Sequence, residues 1–343
     1  MVFFTLLTFN YTLNAKSLNI ALFLPFNSSA YSKMAESIHS GINDSLNKLD
    51  LNSTVEKFHE SDSLEDNLVT FKKINSKKFD LIIGPIKNSS ILGLKKEIVN
   101  IKQKILILNS DSILRNQFQN NKNVYIYGFN LEEEVLDIVE EINIEPDLVY
   151  VVHNNSRISQ KILSKFIPKI EDYFNIKTKI LEFSEIKSEL KLFKEKLNDQ
   201  LDQDENKVII FFSFLNSQES RNFRPYLGSK IHFYSTFLIN NDRYDKLQKY
   251  DLQNAIFFEM PIVFLGDEKL DIMYNIQNIP LNNISRRFYA IGYDSVLIFK
   301  SIENKSTEII KSISGTINYK NNFFSRKGIL VKINEGNLKK LPQ

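Results

Sequence analysis

The hydrophobic positions fall into short continuous runs separated by stripes of four-residue spacing. Leu18 to Phe26 (LNIALFLPF) is an apolar run without alternation, the pattern of a strand buried on both faces, and Pro25 ends it. Ala30, Met34, Ile38, Ile42 and Leu46 then recur every four residues, which predicts an amphipathic helix packed on a sheet. The polar Asn27-Ser28-Ser29 before it suits a helix cap. Thr54 to His59 reads as a weak strand, and Leu64, Leu68 and Phe71 mark a second helix. Phe79 to Ile83 (FDLII) is another buried strand. It stops at Gly84-Pro85, since Pro cannot donate to a sheet ladder and Gly permits a sharp turn. A third helix is expected over Ser89 to Lys102, then strands over Ile105 to Leu108 and Val124 to Tyr127.

The alternation then restarts. Glu132 to Ile142 reads as a helix with Val135, Ile138, Val139 and Ile142 on one face, and three acids in its first turn suit the helix dipole. Strands are expected over Leu148 to Val152, Lys177 to Phe183, Val208 to Phe212, Ile231 to Ser235 and Ala255 to Phe258. Between them lie the helical stripes Ile158-Ile162-Phe166-Ile170 and Ile186-Leu190-Phe193-Leu197-Leu201, and a helix over Ser217 to Tyr226. A long helix follows over Arg286 to Glu303, then strands near Gly315 to Tyr319 and Gly328 to Ile333, with a turn at Glu335-Gly336-Asn337.

Strict strand–helix alternation predicts an α/β protein with parallel sheets covered on both faces and right-handed crossovers. At 343 residues the chain exceeds one ordinary core, so two doubly wound lobes are expected. The expected division places 17–126 and 257–310 in the first lobe, and 127–256 and 311–343 in the second, joined by a multi-strand hinge.

Composition narrows the classes. Hydrophobic residues at 43% and charged residues at 25% exclude wholesale disorder. A net charge of +3 without a basic stripe interleaved with aromatics gives no support for a nucleic-acid partner. The absence of cysteine excludes disulfides, thiolate catalysis and Cys-ligated metals. Val2 to Leu13 is mostly apolar but too short to span a bilayer, and Asn14-Ala15 follows it. Residues 1–16 are therefore expected to be a signal peptide, although a basic n-region is missing, and the mature chain is expected in the periplasm.

Candidate chemistry is sparse. His59-Glu60-Ser61-Asp62 with Glu65 and Asp66 can be drawn as a metal site, but acids at a strand end entering a helix are the nearer reading. His39, His153 and His232 lie in separate patterns without metal-like spacing. Neither a G-x-S-x-G elbow nor a Gly-rich phosphate loop occurs. No enzyme activity, metal or cofactor is expected. The better candidate is a crevice at the carboxyl ends of the strands. The first lobe would supply Ser28, Ser29, Gly84, Pro85, Asn88, Ser89, Asn109 and Ser110. The second would supply His153, with Asn154, Asn155, Ser213 and Asn216 nearby. Such loops suit a small polar ligand, although Asn and Ser also serve merely as capped turns.

Several segments in fixed order carry a resemblance. They are IALFLPF at Ile20 to Phe26 and DLIIGP at Asp80 to Pro85, then FRPYL at Phe223 to Leu227, IHFYST at Ile231 to Thr236, Asp251-Leu252 and FEMP at Phe258 to Pro261. RRFYAIGYD at Arg286 to Asp294, SGTINY at Ser314 to Tyr319, Ser325-Arg326-Lys327 and Asn334-Glu335-Gly336 complete the order. The chain from about Leu18 to Leu341 resembles the C-terminal domain of the penicillin-binding-protein activator family (LppC/LpoA-like lipoproteins), which has a type I periplasmic-binding-protein fold. In that fold the loop after the Gly-Pro strand offers backbone N–H groups and hydroxyls to ligands. The resemblance implies a non-enzymatic regulator that docks on a bifunctional penicillin-binding protein, a peptidoglycan synthase, and favours its active state. The alternative is a solute-binding receptor of an ABC importer with an amino-acid-like ligand. Family members often carry an N-terminal helical-repeat domain and a lipobox ending in an acylated Cys. Here Leu13-Asn14-Ala15 looks like the end of a lipobox, but Lys16 follows it, so outer-membrane attachment through such an anchor is not expected.

Overall fold

The computed structural model describes residues 17–342 except 205, 241–245, 275, 277, 278 and 281. The expected signal peptide, 1–16, lies outside the described residues.

Two sheets form the frame. The first contains β1 (Leu18–Leu24), β2 (Ser53–His59), β3 (Leu81–Ile83), β4 (Lys104–Ile107) and β5 (Val124–Tyr127). The second is built from β6 (Leu148–His153), β7 (Thr178–Glu182), β8 (Ile209–Phe214), β9 (His232–Ser235) and β10 (Ala255–Glu259). The chain then returns to the first sheet with β11 (Ile310–Ser312), β12 (Gly315–Lys320) and β13 (Phe323–Lys327), and closes on the second with β14 (Ile329–Asn334) and β15 (Asn337–Lys340). The strand orders are β11-β12-β13-β5-β4-β3-β1-β2 and β15-β14-β10-β9-β8-β6-β7. Each sheet is parallel through its centre and antiparallel only at the edge added by the tail, where β12 runs against β13 and β14 against β10. The central strands β1, β3 and β8 are buried almost throughout, as their near-continuous apolar runs require.

The boundaries differ from the expected division in two places. Strands β11 to β13 belong to the first sheet, with β13 parallel to β5 through Phe323↔Ile126 and Phe324↔Tyr127. The second sheet takes only β14 and β15 from the tail, and it also holds all of β10, including 257–259. The pairing partner of a tail strand is set by long-range contacts: Phe324 and Ile317 enter the first core, whereas Val331 and Ile333 enter the second. The chain therefore crosses between the sheets after β5, after β10 and between β13 and β14. The expected third helix is two short ones, Asn88–Gly93 and Lys95–Val99, with Leu94 between them.

One helix pair anchors the first lobe. The Ser32–Lys48 helix buries Ile38, Ile42 and Leu46 of the apolar stripe, and Ala35 beside them, while Met34 is half-buried and Ala30 lies exposed before the helix. It packs against the Asn283–Glu303 helix through reciprocal glycines. A Cβ on Gly41 would lie 2.0 Å from the Tyr289 carbonyl oxygen, and one on Gly292 would lie 2.0 Å from that of Ile38. The Tyr289 hydroxyl ties the two helices by donating to Asp44 Oδ2 at 2.5 Å.

Candidate functional site

Both sheets reverse their strand order where an open α/β sheet binds ligands: between β1 and β3 in the first, and between β6 and β8 in the second. The loops after these strands are the ones the polar residues single out. Gly84 adopts φ +103°, and a Cβ there would meet the Phe23 carbonyl oxygen at 2.1 Å, so the turn requires glycine. The Gly84-Pro85 peptide is cis, and both residues are buried.

The next two backbone N–H groups do not point to open space. Ile86 N donates to Glu60 Oε2 at 3.0 Å and Lys87 N to Glu60 Oε1 at 2.9 Å. Glu60 follows β2 and is fully buried. Burial raises its carboxyl above the usual range, against the pull of the two N–H groups and Lys87. The acids drawn above as a metal site are thus dispersed: Glu60 faces this loop, and Asp62 takes Lys87 Nζ at 2.6 Å. Asp66 accepts from Ser61 Oγ. Among the described residues no His, Cys, Asp and Glu group fit for a metal ion occurs.

Several of the other expected contacts are also tied internally. Asn109 Nδ2 donates to Asn88 Oδ1 at 2.8 Å and to the Ile86 carbonyl at 2.7 Å, while Asn88 Nδ2 donates to Asp111 Oδ2 at 3.2 Å. Ser110 is buried and its hydroxyl donates to the Phe129 carbonyl in the first crossing. Ser28 and Ser29 lie in the turn that starts the Ser32–Lys48 helix, Ser28 half-buried and Ser29 exposed. Ser89 is exposed in the first turn of the Asn88–Gly93 helix. Across the crevice His153 is half-buried, with Nδ1 3.1 Å from the Asn154 carbonyl. Asn154 bonds Glu219 and Ser159 within the second lobe, Asn155 donates to Glu182, and Asn216 caps the Ser217–Phe223 helix. The Ser213 hydroxyl is buried without a partner among the described residues.

A cavity of about 320 Å³ remains between the lobes, lined by Asn109, Asp111, Phe129, Glu132, Ile158 and Lys161 among others. Lys161 spans its mouth. On the Arg157–Phe174 helix, it reaches Asp111 Oδ2 of the first lobe at 3.0 Å and Glu132 Oε1 at 2.9 Å. Burial opposes ionisation of Asp111 and Glu132, yet the Ile113 N–H and Lys161 at Asp111, and Lys165 and Lys161 at Glu132, overcome it and hold both below the usual carboxylate range. Lys161 is raised in turn, since the two carboxylates outweigh its own burial. The sequence offered no signal for Lys161, which lies on the polar side of an amphipathic helix.

Behind the cavity the three crossings enclose a second polar centre. Arg287 is 1% exposed and comes from the Asn283–Glu303 helix of the first lobe. It forks onto Glu259 at the end of β10, Nε to Oε1 at 3.0 Å and Nη2 to Oε2 at 2.6 Å. It also donates to the Phe237 and Asn240 carbonyls. Asn240 Nδ2 donates to Glu259 Oε2 at 2.8 Å. Glu134, in the Leu131–Glu140 helix, accepts from Phe237 N at 3.1 Å. The Phe129 ring packs tilted against Phe237 and edge-to-face against Phe288 beside it. Glu259 and Arg287 fall inside two of the segments that carry the family resemblance, although the sequence alone gave them no role.

Glu134 should leave a signature in the stability profile. Burial lifts its carboxyl from 4.5 to about 8, against Arg326 and the Phe237 N–H. Between those values the native state holds the proton more than the unfolded one does, so its contribution is complete below pH 4.5 and falls as pH rises toward 8. Urea titrations at pH 5 and pH 8 should show Glu134→Gln flattening this slope by roughly 1 kcal/mol per pH unit. Equal slopes in parent and variant would contradict the assignment.

Solved structures place the frame. Full-length LpoA from Haemophilus influenzae matches with a TM-score of 0.70 at 15% identity, over 95% of this chain and 59% of that one. This chain therefore spans 59% of the length of that relative. The LpoA C-domain from the same organism, described as a regulator of PBP1A, matches with a TM-score of 0.69 at 15% identity, over 94% of this chain and all of that one. The fold is that of the type I periplasmic binding proteins. A branched-chain amino acid ABC transporter protein from Chromobacterium violaceum shares it, with a TM-score of 0.69 at 16% identity over 92% of this chain and all of that one. No family model matches the chain, and no curated protein sequence matches it.

Proposed function

We propose that this type I binding-protein fold acts as a non-enzymatic periplasmic regulator, binding a bifunctional penicillin-binding protein and stimulating peptidoglycan synthesis. One observation carries the choice over a solute receptor. The loop N–H groups at Ile86 and Lys87, which a receptor of this fold would offer to its ligand, are taken by the chain's own Glu60. Lys161 likewise spends its charge on Asp111 across the crevice and on Glu132 of its own lobe. An amino-acid ligand would have to displace both. The order of motifs and the structural likeness to the LpoA C-domain support the partner class. Among the described residues no helix is long and apolar enough to cross a membrane.

The immobilised chain should retain the purified bifunctional penicillin-binding protein of its own cell, and a panel of amino acids should leave its Tm unchanged. A receptor would instead gain about 2.7 kcal/mol of stability at a hundredfold ligand excess over Kd. Such a rise, with no synthase retained, would replace the regulator by the amino-acid receptor of an ABC importer.

A further inference from the structure

The lobes meet through a row of ion pairs in addition to their crossings. On the first-lobe side stand Asp111, Arg115 and Lys327; on the second-lobe side stand Lys161, Glu133 and Glu141. Asp111 and Arg115 lie one helical turn apart at the start and middle of the Ser112–Phe118 helix, and Glu133 and Glu141 lie at opposite ends of the Leu131–Glu140 helix. Lys161 meets Asp111 at 3.0 Å, and Lys327 Nζ meets Glu141 Oε1 at 2.6 Å. Arg115 pairs with Glu133 while its guanidinium lies flat on the Phe323 ring. Each pair joins opposite charges from different lobes. The flank they follow is not packed solid: a cavity of about 480 Å³ opens where β13 approaches the Leu131–Glu140 helix. Apolar contact is therefore incomplete along this flank, and charge supplies much of the attachment.

We infer that these pairs form an electrostatic latch that holds the two lobes against each other across the crevice. A solute receptor closes on its ligand, because the ligand supplies the contacts between lobes. Here the chain supplies them itself, with Lys161 between Asp111 and Glu132 in the place of an intruding cation. The lobes then present one fixed surface, whatever partner reads it. Partly exposed ion pairs are weak singly and salt-sensitive, so the latch acts as a set and opens at high ionic strength. The inference stands apart from the identity of the partner.

The cysteine-free sequence makes the test direct. Leu92 in the first lobe and Gln160 in the second are both exposed. Spin labels on Leu92→Cys and Gln160→Cys report the lobe separation by pulsed electron–electron distance measurement, without ligand. At low salt a single narrow distance is expected. In 1 M NaCl, where the Debye length is about 3 Å, a longer distance should appear. Lys161→Met with Arg115→Met should enlarge the long-distance population about fivefold or more at low salt. Asp111→Asn keeps the helix cap and removes only the charge, so it should do the same in smaller measure and guards against a folding defect. A broad or two-peaked distribution in the parent at low salt would overturn the latch. So would an unchanged narrow distance after both cations are removed.

Discussion

Arg287→Ala should cost about 3–5 kcal/mol of unfolding free energy, the largest single loss expected in the molecule. Arg287 and Glu259 are 1% exposed each, and their forked contact at 2.6 and 3.0 Å joins a first-lobe helix to the last parallel strand of the second lobe. Removing the guanidinium leaves Glu259 buried with Asn240 Nδ2 and Met260 N as its donors among the described residues. It also strips a donor from the Phe237 and Asn240 carbonyls. The cost is that of an uncompensated buried charge more than the intrinsic worth of the pair. Glu259→Met combined with Arg287→Met should accordingly be more stable than either single variant, since no charge is then stranded. Urea denaturation of the three variants decides this. A single-variant loss below about 1 kcal/mol, the range of a solvated pair, would show the pair is not buried as described.

The second large effect is expected at the crossing of the Ser32–Lys48 and Asn283–Glu303 helices. On a free helix surface, glycine to alanine would gain about 1 kcal/mol. Gly292→Ala should instead lose about 2–3 kcal/mol, because its Cβ would stand 2.0 Å from the Ile38 carbonyl oxygen and 2.9 Å from the Ile38 Cα. Backbone cannot swing aside as a side chain can, so the two helices must separate. Gly41→Ala meets the Tyr289 carbonyl at the same 2.0 Å. One separation relieves both clashes, so the double variant should cost less than the sum. Thermal unfolding reads the sign directly. An increase in Tm for Gly292→Ala would contradict the close crossing.

The strands were legible because a strand covered on both faces needs an unbroken apolar run, and Ile20 to Leu24, Leu81 to Ile83 and Ile209 to Phe212 supply one. The tail was less legible. β13 ends in the polar Ser325-Arg326-Lys327, and no strand was expected there; its attachment to β5 rests on Phe323 and Phe324 meeting Ile126 and Tyr127. No local pattern encodes that choice of sheet. The same holds for the crevice. Gly, Pro, Asn and Ser after strand ends marked the loops correctly as polar edges, yet what they bond to depends on Glu60 and Lys161, brought in from other elements. Glu60 read as one of several acids at a strand end entering a helix, and nothing in the sequence singled out Lys161. Arg287 and Glu259 stood inside quoted segments, but a charge that will be buried looks like any other charge in sequence.

The regulator reading is tested most directly by the synthase itself. Glycan polymerisation and cross-linking by the bifunctional penicillin-binding protein of the same cell should be measured with and without the purified chain, at low and high salt. The account predicts a faster rate when the chain is present and a stable complex between the two. An unchanged rate, with no complex formed, would contradict it.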